Sequence, residues 1–162
     1  MDNSSGIYIE KMAELLGKKK QLLQEMLTLT KAQTPVIAAD SLDKLQKLVE
    51  DKQGLIDRIN ELDDEFTAYM DKLKSAVGIS KLDDIDISRF PAAVRLKQGV
   101  SEVLDLVREI SDVEKINSVK SNKLLEQLGS QIQKINQGKK INNAYSSQNA
   151  AVTSSLFLDK KK

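Results

Sequence analysis

The apolar residues of this chain fall into three long stretches of helical spacing. In the first, from about Ser5 to Gln33, they alternate by four and three: Tyr8, Met12, Leu15, then Lys19, then Leu22, Met26 and Leu29. That is a heptad seam with one polar break. Leu16, Leu23 and Leu27 widen it on one side, so the stripe predicts burial against more than one neighbour, as in a bundle. Pro35 ends the stretch, because a proline pushes the residue before it out of the helical region.

The second stretch opens near Asp40 or Ser41, whose side-chain oxygens suit a helix cap. Asp43 follows in the first turn, where a negative charge suits the helix dipole. The seam reads Leu45, Leu48, Lys52, Leu55, Ile59, Leu62, Phe66, Tyr69 and Leu73, flanked by Val49, Ile56 and Met70. Gly54 sits mid-helix, and Gly78 after Val77 is a natural C-terminal stop. A helix from Ser41 to Val77 would be about 55 Å long. The connection from Ile79 to Phe90, rich in Asp, Ser and Ile, has room for one helical turn. Pro91 is expected in the first turn of the next helix.

The third stretch runs from about Pro91 to about Gln137. Leu96, Val100, Val103, Val107 and Ile110 hold its seam. Continuing that register lands on Glu114, Asn117 and Ser121, while Val113, Ile116 and Val119 lie three apart and drift around the helix. Leu124, Leu125, Leu128, Ile132 and Ile135 then restore an apolar face, and Gly138 suits a C-cap. Two readings of the polar centre stand. A buried Asn117 or Asn122 would fix register at some cost in stability. Alternatively, this stretch is less buried, and the half from Leu124 to Ile135 extends past the other helices as a surface for a partner helix.

The fold expected is therefore all-α: an elongated antiparallel bundle of three long helices with left-handed supercoiling, and possible room for a short fourth piece between Ile79 and Phe90. The helical domain spans residues 1–138. Residues 139–162 lose periodicity and are rich in Asn, Ser, Gln, Lys and Ala, which reads as a disordered tail. The tail carries Tyr145, the apolar group Leu156-Phe157-Leu158 and the clusters Lys139-Lys140 and Lys160-Lys161-Lys162. Its apolar residues are either short binding elements or incidental.

Composition narrows the chemistry. Charged residues make up 30% of the 162 and aromatics 4%, with no Trp, which suits a narrow aliphatic seam better than a conventional globular core. The net charge of +1 creates no field toward nucleic acid or anionic lipid. With no His and no Cys, Ser-His-Asp and Cys-His triads, disulfides and the usual zinc ligand sets are excluded. No glycine-rich phosphate cradle is present. The run Glu61, Asp63, Asp64, Glu65 lacks the histidines a carboxylate-bridged metal site in a bundle would want, and reads as a solvated face. Lys18-Lys19-Lys20 is likewise a polar face without interleaved aromatics. An enzyme built on an unfamiliar carboxylate site would require a bound metal or substrate at that acidic face. The N-terminus lacks a signal-peptide pattern and no apolar run is long enough to span a bilayer, so a cytoplasmic, non-membrane protein is expected.

The third stretch and tail resemble the FlgN family of flagellar type III export chaperones. The likeness lies in Ile116-Asn117, Asn122-Lys123-Leu124-Leu125, Gly138-Lys139-Lys140, Ala144-Tyr145 and the ending Phe157-Leu158-Asp159-Lys160. Leu42-Asp43-Lys44-Leu45 through Leu55-Ile56 is similar to the family's second helix. The resemblance implies a non-enzymatic protein without cofactor. It would bind the C-terminal helical segments of the two hook–filament junction proteins, keep them unassembled, and deliver them to the export gate. It further implies that the client is held along the C-terminal amphipathic region, here Ile116, Val119, Leu124, Leu125, Leu128, Ile132 and Ile135. A tyrosine near the chain end docks on the gate's cytoplasmic domain, a role that falls to Tyr145. The competing reading is a structural coiled coil that self-associates through the same seams and has no client.

Overall fold

The computed structural model describes residues 4–139. Among them there are three α-helices and no strand: α1 (Ser4–Gln33, 30 residues), α2 (Leu42–Val77, 36 residues) and α3 (Ala93–Lys139, 47 residues). The tail positions Tyr145 and Leu156-Phe157-Leu158 lie outside the described residues.

The helix ends follow the local chemistry. α1 stops where Pro35 supplies no N–H, and Thr34–Val36 tightens into a 3-10 turn. A second 3-10 turn, Ala39–Ser41, leads into α2. The Ser41 hydroxyl there donates to the Asp40 carboxylate at 3.3 Å. α2 ends at Gly78, whose φ of 70° is the left-handed conformation that glycine adopts without a Cβ penalty; its N–H donates to the Lys74 carbonyl at 2.9 Å. The turn expected between Ile79 and Phe90 is the 3-10 turn Leu82–Asp84. Ile85 is buried beside it, and the Lys97 amine donates to the carbonyls of Asp83 and Ile85, tying this connection to α3. Pro91 precedes α3 rather than starting it: its carbonyl accepts the Val94 N–H in a turn before the helix at Ala93. At the far end α3 continues through Gly138 to Lys139.

The chain divides into two compact units. The first takes Met1–Leu27 and Gly54–Glu109; the second takes Thr28–Gln53 and the residues from Ile110 onward. In the first unit the core is aliphatic: Ile9, Met12, Leu15, Leu16, Leu22 and Leu23 from α1, Leu55, Ile59 and Leu73 from α2, and Leu96 and Val103 from α3 are buried. Tyr8 stacks obliquely on Tyr69 (6.1 Å between centroids), with the Lys72 amine 5.4 Å from the Tyr69 ring centre. Lys19, the polar break in the first seam, pairs with Asp63 at 2.7 Å. Lys20 pairs with Glu102 of α3. Partners on α2 thus fall in number as α1 advances. α3 lies close to α1 at Gly99, where a Cβ would lie 3.2 Å from Leu16 Cδ1.

One seam assignment is corrected. Val107 was expected inside, but it is exposed, and Leu106 is half-buried between Val103 and Ile110. Leu96, Val103, Ile110, Asn117 and Leu124, seven apart, all stay buried, so the heptad register holds and only the second seam position shifts here, from Val107 to Leu106.

Candidate functional site

The second unit combines a small apolar cluster, a buried polar layer and an outward-facing aliphatic set. The cluster is Ile37, Leu45 and Leu124, with Val36, Leu42 and Leu128 packed against it. It joins the connection after α1, the start of α2 and the distal part of α3. Two of the expected client-binding residues, Leu124 and Leu128, therefore belong to the packing of this unit.

The polar layer lies where the seams of α2 and α3 turn polar, at Lys52 and Glu114, beside Gln33 at the end of α1. The Lys52 amine donates to Gln33 Oε1 at 2.9 Å and to Glu114 Oε1 at 2.6 Å. Lys52 is 8% exposed and Gln33 fully buried; Gln33 Nε2 has no hydrogen-bond partner. One turn along α3, Asn117 is fully buried. Its amide donates to the Thr30 carbonyl at 2.9 Å, and its oxygen accepts from the Thr34 hydroxyl. Lys120 donates to the Thr34 carbonyl. Asn117 and Lys120 thus supply side-chain donors to the Thr30 and Thr34 carbonyls, in the last turn of α1 and just past its end, where intrahelical donors run out. Of the two asparagines singled out in the sequence, Asn117 is buried and Asn122 is exposed.

Ile116 and Val119 lie on either side of Asn117 in sequence and turn away from the core, 59% and 58% exposed. Leu125 and Ile132 are half-buried, and Ile135 is 43% exposed. The structure therefore does not gather the seven residues into one patch. Leu124 and Leu128 face the cluster, Ile116 and Val119 another side, and Ile135 stands open toward the described end of α3. Thr30 and Gln33 were missed. Gln33 follows Leu29 by four and continues the first seam, a signal present in the spacing; Thr30 carried none.

Among the described residues no group of three or more carboxylates is placed to hold a metal ion, and no helix is long and apolar enough to cross a membrane. The two groups with clear electrostatic shifts are exposed. Hydrogen bonds from the Ser88 side chain and backbone hold the Asp86 carboxyl below the usual range, and the Asp51 carboxylate beside Lys47 raises its amine. A protein-family model described as FlgN protein matches residues 1–153. No curated protein and no solved structure matches the chain.

Proposed function

Because this chain belongs to the FlgN family of flagellar export chaperones, we propose that it binds the C-terminal helical segments of the hook–filament junction proteins, keeps them unassembled in the cytoplasm, and delivers them to the cytoplasmic domain of the export gate. The observation that carries this reading is the aliphatic set on α3. Ile116 and Val119 are the most exposed large apolar residues of α3 among those described, and Ile135 is also open, beside Val94, Leu104 and Val107 nearer the start of the helix. Exposed aliphatic residues on a helix suit the apolar stripe of an amphipathic partner helix. Junction-protein terminal helices are such partners, and left uncovered they would associate early.

In this reading the bundle is antiparallel within each unit: α1 pairs with α2 in opposite sense and with α3 in the same sense. The falling order of α1–α2 contacts and the rising pairs Thr30–Asn117 and Thr34–Lys120 support it. Residues 1–138 act as the helical domain and 139–162 as the gate-docking segment, with Tyr145 as its anchor. No cofactor enters the mechanism, since capture and release are packing events.

The test is calorimetric titration of the purified chain with a synthetic peptide spanning the terminal helical segment of a junction protein. Saturable binding of one peptide per chaperone chain is expected. Absence of binding, together with a stable high oligomer by light scattering, would favour the self-associating coiled coil instead.

A further inference from the structure

We infer that the Gln33–Lys52–Glu114 layer of the second unit is a selectivity determinant: it holds α3 in one register in the seam of its own chain and rejects the apolar helices of a second copy. The proposal goes beyond the chaperone reading and does not depend on it.

The layer is poorly suited to providing stability. Lys52 is buried with its charge, and replacing a buried ion pair by well-packed apolar residues is often neutral or stabilising. Gln33 Nε2 is buried without an acceptor, and a half-satisfied polar network is inferior to an apolar core. What the layer does offer is discrimination. Heptad seams are degenerate, since a helix slipped by seven residues still presents aliphatic side chains to its neighbours. On α3 the residues seven positions either side of Glu114 are Val107 and Ser121, neither of them a carboxylate. A slip of one heptad would bring Val107 or Ser121 to the Lys52 amine and strip the buried ammonium of its anionic partner. An aliphatic stretch of α1, α2 or α3 from a second copy would do the same. The pair therefore penalises any pairing that sets a residue other than a carboxylate against Lys52.

Three variants of the full chain test this, each followed by thermal melting and by light scattering across a concentration series. Glu114→Gln should melt lower than wild type, because Lys52 loses its charge partner. The triple variant Gln33→Leu, Lys52→Met, Glu114→Leu should melt at or above wild type but form concentration-dependent mixtures of higher mass than wild type shows at the same concentrations. The exchanged pair Lys52→Glu, Glu114→Lys should return to the wild-type mass, because the pairing is preserved. A triple variant that keeps the wild-type mass at every concentration overturns the inference. So does one that melts well below wild type, which would make the layer a stabilising feature. An exchanged pair that forms mixtures overturns it too.

Discussion

Asn117 shows how one side chain settles a question that periodicity leaves open. Its place in the seam is compatible with either burial or a surface break. The end of α1 decides it: the Thr30 carbonyl and the Thr34 hydroxyl meet the Asn117 amide and bury it. Asn117→Ala should cost about 1–3 kcal/mol in urea unfolding, the penalty for losing buried hydrogen bonds. Asn122→Ala should stay within about 0.5 kcal/mol, as for other exposed sites. Equal effects would mean that the two asparagines are not distinguished by burial. The Asp86 carboxyl is a second case. Its folded pKa lies below the unfolded value, so its contribution to the turn before Pro91 is fully present above about pH 4 and is lost as pH falls through the folded value. Asp86→Asn should remove that pH dependence and leave behaviour at neutral pH close to wild type.

At the scale of elements, most of the helix pattern was legible. The boundaries at Gln33, Val77 and Gly78 follow from Pro35 and from a glycine free to adopt positive φ. Less legible was which residue of a neighbouring apolar pair turns inward, as at Leu106 and Val107, because both spacings, three and four from Val103, fit a helical seam. The 3-10 turns flanking Ile37 were also not foreseen; they place that residue against Leu45 and Leu124. Two mid-helix glycines separate propensity from packing. Gly54 has open space where a Cβ would go, so Gly54→Ala should raise stability by about 1 kcal/mol. Gly99→Ala gains the same propensity but presses its Cβ on Leu16, so its stability should fall short of that of Gly54→Ala. Parallel chemical denaturation of the two variants reads the difference.

At the scale of the whole molecule, the candidate site was only partly legible. The apolar positions of α3 were readable as a set, but spacing does not say which are spent on the chain's own packing. Leu124 is, because the connection after α1 folds its Ile37 onto it; Ile116 and Val119 are not. The proposed gate contact lies beyond the described residues and rests on the family likeness. In that proposal Tyr145→Ala leaves client binding and melting temperature near wild type and weakens binding to the gate's cytoplasmic domain. A large drop in melting temperature would instead place Tyr145 in the packing of the bundle.

The proposed client contact on α3 is tested most directly by the affinity of an Ile116→Asp, Val119→Asp double variant for the terminal helical segment of a junction protein, measured beside wild type with circular dichroism as a control. Both residues are more than half exposed, so helix content and melting temperature should be retained. The account predicts at least a tenfold loss of affinity, about 1.4 kcal/mol. Wild-type affinity in a folded double variant would contradict it.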